Sequence, residues 1–271
     1  MTETSPEVVH ATTVNGITTI TLDSPSNRNA LGEELVGRLL SALRAAGAAP
    51  DVRAVVLTHA GSTFCAGADL GEALRRGASV EEASAAGTEA MLQVMRTILE
   101  LPKPVVARID GHVRAGGFGL IGAADIVVAG PSSTFALTEA RLGLAPAMIS
   151  VVLLPKMTAR SSGRYYLTGE TFDPATAEQI GLLTRACATA DDLDTEVAAI
   201  LAGIGKASPQ GLAASKRLTT ASILRDFDRD ARLRAEESAA LFGSDEAREG
   251  MAAFLGKRPP AWDLSGRSET A

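Results

Sequence analysis

Short runs rich in β-branched residues alternate with helix-length amphipathic segments along most of this chain, and that alternation restricts the fold more than any single residue does. Two runs between Val8 and Leu22 flank Asn15-Gly16, a dipeptide that supplies the positive φ angles of a tight turn, so a β-hairpin opens the chain. Asn29 or a neighbour is then expected to cap a helix with apolar positions at Leu31, Leu35, Leu39 and Leu43. Arg53 to His59 reads as a buried strand, and a second helix runs from about Glu81 to Leu99 before Pro102 and Pro104 stop it. Val105 to Ile109 and Asp125 to Ala129 are the next strands, joined through a glycine-rich segment from Gly111 to Gly122. Strands separated by helical crossovers predict a largely parallel sheet. Beyond about Leu182 one more strand is expected, and Leu193 to Leu201, Leu212 to Leu224, Ala231 to Leu241 and Glu246 to Leu255 read as helices. The predicted class is therefore α/β with a helical tail. Gly203, Gly205 and Pro209 interrupt the helical pattern and divide a core, residues 1–204, from a C-terminal region, residues 205–271.

Charge and cysteine usage narrow the functions open to such a chain. Lys+Arg at 26 against Asp+Glu at 32 leaves a net charge of -6, so no overall field attracts a polyanionic backbone and nucleic acid is not an expected partner. Cys65 and Cys187 make neither a disulfide framework nor a zinc cluster, and His10, His59 and His112 show no metal-ligand spacing, so no metal is predicted. Met1 to His10 lacks a basic and an apolar region, and no apolar stretch approaches the roughly 18 residues of a membrane span. A cytoplasmic protein without a membrane partner is expected.

Gly117, Gly119 and Gly122 match GxGxxG after a predicted strand, which invites a dinucleotide site. The next strand begins near Asp125, leaving no room for the long crossover helix of a mononucleotide-binding unit. A better account is that Ala115, Gly116 and Gly117 leave backbone N–H groups uncovered at a helix start, where a developing oxyanion can be held. The loop Phe64-Cys65-Ala66-Gly67-Ala68-Asp69-Leu70 follows another strand and offers a second N–H from Ala68. Two amides converging on one oxygen would form an oxyanion hole.

Taken together in order, these segments resemble the crotonase, or enoyl-CoA hydratase/isomerase, superfamily. The carriers of the resemblance are Pro25 to Leu31, Phe64 to Leu70, Asp110-Gly111-His112 with Ala115-Gly116-Gly117 and Ala124-Asp125, Phe135 to Gly143, and Phe254 with Lys257. The resemblance implies a spiral of ββα units with a C-terminal α-helical trimerisation region, and a homotrimer or hexamer. It implies an acyl-CoA thioester as substrate, with coenzyme A present as part of that substrate and no other cofactor. Carried over, Ala68 and Gly116 would hold the thioester oxygen, and Arg28, Ala30, Ala66, Asp69 and Leu70 would line coenzyme A. Phe254 and Lys257 would reach the coenzyme A of a neighbouring subunit.

Hydratases of this superfamily use two glutamates. Glu139 matches the second, whereas Gly119 stands at the first and cannot exchange a proton. Glu139 alone would carry the acid/base role, and burial beside Leu137 and Leu142 would have to raise its pKa. The competing reading of this residue is a surface glutamate paired with Arg141. Arg114, beside the glycine-rich turn, could meet a substrate carboxylate but is read as structural or solvated, and Cys65 as a packing residue. Ala147-Met148-Ile149-Ser150 replaces a glycine-rich stretch common in the superfamily, so a more apolar acyl pocket is expected. One carboxyl fits double-bond isomerisation most simply, and hydration if a further residue assists. An acyl-CoA-binding homologue that has lost catalysis is the alternative. A Ser-His-Asp hydrolase is disfavoured because no serine lies between Gly116 and Gly119.

Overall fold

The computed structural model describes residues 7–69 and 80–265. The hairpin forms as expected. Strands β1 (Val9–Val14) and β2 (Ile17–Leu22) pair antiparallel, and Asn15 and Gly16 turn at φ 50° and 77°, the paired positive angles that match strand twist. Helix α1 (Glu33–Ala48) buries Leu35, Leu39 and Leu43. It starts one turn later than the sequence suggested: Gly32 holds the capping position and Leu31 lies outside the helix.

Asn29 caps nothing, because its side chain is used elsewhere. It is fully buried; Oδ1 accepts from Ser24 N at 2.7 Å while Nδ2 donates to Thr63 O at 2.7 Å and Ala60 O at 3.1 Å. The first bond closes the 24–31 segment on itself, and the other two fasten it to the chain that follows the next strand. Asn29→Ala orphans all three partners and is expected to cost about 2 kcal/mol in a urea titration.

From there the chain repeats a two-strand unit. The next strands are β3 (Ala54–His59), β4 (Thr63–Cys65), β5 (Val105–Ile109), β6 (His112–Arg114), β7 (Ile126–Ala129), β8 (Thr134–Ala136) and β9 (Arg185–Ala186). β1-β2-β3-β5-β7-β9 make a six-stranded sheet, parallel from β2 onward, and β4-β6-β8 make a parallel three-stranded sheet. Each unit thus gives one strand to each sheet and advances both by one place. A helix follows each pair: α2 (Val80–Glu100) after β4, α3 (Gly116–Ala123) after β6, and a 3-10 turn (Glu139–Leu142) with α4 (Ala147–Leu153) after β8. This is a spiral of ββα units. The small sheet was not read from residue pattern, because three-residue strands are too short to show a period of two.

Helices α5 (Ala159–Thr168), α6 (Pro174–Gln179), α7 (Ala190–Gly205), α8 (Pro209–Phe242) and α9 (Asp245–Leu255) complete the described chain. The two helices expected over Leu212 to Leu241 are one helix of 34 residues. Its Ile223, Phe227 and Ala231 enter the main core, and it packs along α2 and α4. Lys216 locks it in place: the buried Nζ meets Asp125 Oδ2 at 2.6 Å and donates to Ile98 O at 2.7 Å and Lys103 O at 3.0 Å. Such a buried cation is tolerated only because carbonyls and a carboxylate replace its water. No helix among the described residues is long and apolar enough to cross a membrane.

Candidate active site

Two loops meet at the ends of β4 and β6. The segment around Leu31 lies beside the loop after β4 as an isolated parallel bridge: Leu31 N donates to Gly67 O at 2.7 Å and Asp69 N donates to Leu31 O at 3.4 Å. A parallel bridge of this kind engages the residues on either side of Ala68, so the Ala68 amide itself faces away from Leu31. Ala68 is exposed, and no hydrogen bond within the described chain uses its N–H. Gly67 turns the loop at φ +95°, and a Cβ there would stand 2.6 Å from the Ala115 Cβ, so only glycine lets the two loops touch.

Ala115 has φ 43° and ψ -121°, a strained turn for a residue with a side chain. It points Gly116 N, the first amide of α3, out of the helix, where no intrahelical acceptor exists for it. A Cβ built on Gly67 would lie 3.5 Å from this nitrogen, which measures how closely the Gly116 amide adjoins the Ala68 loop. The structure therefore brings both predicted amides to one contact between loops.

Glu139 opens the 3-10 turn after β8. Its Oε2 is buried without a hydrogen-bond partner, and burial pushes its pKa up to about 7. The pairing with Arg141 is not made: Arg141 is exposed and its Nε donates to Thr168 O at 2.8 Å. That bond ties the turn to α5. On its other side the turn rests on α9, where a Cβ at Gly250 would strike Leu142 O.

Gly119 sits one turn into α3, and the space its side chain would occupy is already filled. A Cβ there would lie 2.5 Å from Met91 Cε, 2.9 Å from Met95 Sδ and 3.0 Å from Ile149 Cγ2, all from buried side chains. Two methionines from α2 and an isoleucine from the altered Ala147 to Ser150 segment occupy this corner. Gly119→Glu is expected to lose about 2 kcal/mol through overpacking and to gain no turnover, with part of the loss recovered by adding Met91→Ala. Thermal melts of the single and double variants read both effects.

Ala66, Ala30 and Asp69 are fastened to the Asn27–Arg28 segment. Ala66 N donates to Arg28 O at 3.1 Å, Ala30 N donates to Asn27 Oδ1 at 3.3 Å, and Asp69 Oδ2 accepts from Asn27 Nδ2 at 2.9 Å. The Arg28 side chain is exposed with its backbone at φ 60°. Leu70 lies outside the described residues. Phe254 and Lys257 are exposed near the C-terminal end.

Arg114 is held by its own strand region, donating to Val113 O, Thr134 O and Thr134 Oγ1 at 2.7 to 2.8 Å. Cys65 is fully buried, and desolvation pushes its thiol up to about 12, so it packs and does not ionise. A surface cleft of about 770 Å³ between α5 and α6 contains none of the predicted site residues, and its Arg164 and Glu170 pair with each other. Among the described residues, no group of three or more His, Cys, Asp or Glu could hold a metal ion.

The family model for enoyl-CoA hydratase/isomerase matches residues 12–265. The chain belongs to that family. An enoyl-CoA hydratase from Mycobacterium avium of known crystal structure is 54% identical, with a TM-score of 0.88 over 96% of this chain and 100% of that one. The enoyl-CoA hydratase EchA19 of Mycobacterium tuberculosis is 31% identical over 89% of this chain and 91% of its own. A carnitinyl-CoA hydratase from Mycobacterium avium shares 28% identity and a TM-score of 0.81 over 96% and 99% of the two chains. This enoyl-CoA hydratase/isomerase family enzyme thus shares its spiral with relatives named for different acyl groups. Tyr166 was missed by sequence reading: its hydroxyl is buried without a partner, and the nearby Glu139 charge adds to the burial that holds the phenol protonated. No motif marks it.

Proposed function

We propose that the enzyme binds an enoyl-CoA thioester with its carbonyl oxygen between Ala68 N and Gly116 N, and that Glu139 moves the proton at the adjacent carbon. The observation that carries this reading is a carboxyl whose buried Oε2 has no hydrogen-bond partner, in a chain that also leaves two backbone amides open at touching loops. As a proton leaves or a nucleophile adds, negative charge grows on the thioester oxygen. Preorganised amides stabilise that charge more than they stabilise the neutral ground state. A carboxyl with a pKa near 7 is both a competent base and, once protonated, a competent acid at neutral pH. With Gly119 unable to take part, Glu139 serves as both.

Coenzyme A lies, in this proposal, along Arg28, Ala30, Ala66, Asp69 and Leu70, and Phe254 with Lys257 reach the coenzyme A of an adjacent subunit in a trimer or hexamer. The exposure of Leu233, Phe254, Leu255 and Leu264 supports such subunit contacts. The test is turnover of straight and branched enoyl-CoA thioesters, read as hydration and as double-bond migration. Either reaction, lost in Glu139→Gln, supports the proposal. Calorimetric binding without turnover by either form identifies an acyl-CoA-binding protein instead.

A further inference from the structure

Tyr166 and Glu139 present the same anomaly: each keeps a buried polar oxygen with no partner, and the Glu139 charge acts on the Tyr166 phenol. Glu139 lies in the 3-10 turn and Tyr166 on α5, and the two elements pack together. The bond from Arg141 Nε to Thr168 O, at 2.8 Å, joins positions two residues beyond each of them. A Cβ at Gly169 would lie 3.0 Å from Arg141 Nε, so the clamp is tightly packed as well as bonded. Two orphaned buried oxygens are costly unless something hydrogen-bonds to them. A water molecule needs two to four polar partners in a buried site, and this pair supplies two.

We propose that Tyr166 is a catalytic residue that, with Glu139, holds the oxygen atom added to or removed from the acyl chain, and so makes this enzyme a hydratase. The inference rests on the enolate reading given above and names the reaction within it. The Tyr166 O–H donates to the water oxygen, and the water donates to Glu139 Oε2. Its remaining lone pair attacks the β-carbon. The C–O bond forms as the water proton passes to the Glu139 carboxylate, and the π electron pair of the double bond shifts toward the thioester oxygen. The protonated Glu139 then delivers that proton to the α-carbon, the enolate collapses and the carboxylate is restored. One water is consumed and no other co-reactant is needed. Tyr166 cannot replace Glu139 as base, because burial and the neighbouring carboxylate keep its phenol protonated. It can therefore donate across the working pH range.

Tyr166→Phe removes the hydroxyl and keeps the ring, and it separates two reactions that both use Glu139. Hydration of an enoyl-CoA is expected to fall at least tenfold in kcat with KM within twofold. Exchange of the α-proton of a saturated acyl-CoA into deuterium oxide, which involves no added oxygen, is expected to stay within twofold of wild type. Equal losses in both reactions, or no loss in either, would overturn the role assigned to Tyr166. Wild-type enzyme that shifts double bonds without adding water would also overturn it while leaving the enolate reading intact. Absence of exchange, hydration and isomerisation in wild type would instead remove the enolate reading. Should the phenylalanine variant not fold, Tyr166→Met, judged by the same ratio of hydration to exchange, decides the matter.

Discussion

Glu139→Gln is expected to lower turnover by about 10³-fold while leaving acyl-CoA binding within a few-fold, because it removes the proposed proton carrier and keeps the shape. At Gly119 itself no carboxyl can share the loss, since the Met91, Met95 and Ile149 side chains occupy that corner. The same residue sets the pH dependence. As a base it must be ionised, so kcat/KM should rise with pH toward about 7 and level off above it. Stability should move in the opposite direction. The folded-state pKa is about 7 against an ordinary 4.5, so the folded chain holds this proton more tightly than the unfolded chain does. That stabilisation is full below about pH 4.5 and is lost as pH rises through 7. A shift of that size corresponds to about 3 kcal/mol. The glutamine variant should therefore match wild type in acid and exceed it above pH 7 by up to that amount, measured as the urea midpoint across pH.

Ala68→Pro should lower kcat/KM by roughly 10²–10³-fold, the usual consequence of losing one oxyanion donor, or about 3 kcal/mol of transition-state stabilisation. The substitution is selective because the bridge to Leu31 uses Gly67 O and Asp69 N and leaves the Ala68 amide out. Ala68→Ser, which retains the N–H, should stay within a few-fold of wild type. A proline variant that turns over like the serine variant would show that this amide takes no part in the chemistry. Circular dichroism and substrate affinity distinguish that loss from a displaced loop.

What the sequence made legible follows from how locally each feature is determined. The hairpin was readable because Asn15 and Gly16 alone fix its turn. Glu139 and the two amide loops were readable because their types and order resemble a family, and the structure adds what order cannot give: burial of the carboxyl and contact between the loops. Asn29 misled because its type suits a helix cap as well as a left-handed bend with long-range bonds, and only the fold decides between them. Helices were expected over Leu212 to Leu224 and Ala231 to Leu241, and the charged residues between them continue the helix. Asp226 and Asp230 pair with Arg229, and Asp228 with Arg96, so the segment is a solvated helical face with no glycine or proline to interrupt it. Tyr166 stayed silent because its meaning lies in a neighbour 27 positions away, reached through a clamp that no pattern encodes.

A crystal structure of the enzyme with an unreactive acyl-CoA bound tests the account most directly. The thioester oxygen should lie within about 3 Å of both Ala68 N and Gly116 N, a normal hydrogen-bond length, with the α-carbon facing the Glu139 carboxyl. A thioester oxygen held by other groups, with Glu139 out of reach of the acyl chain, would contradict it.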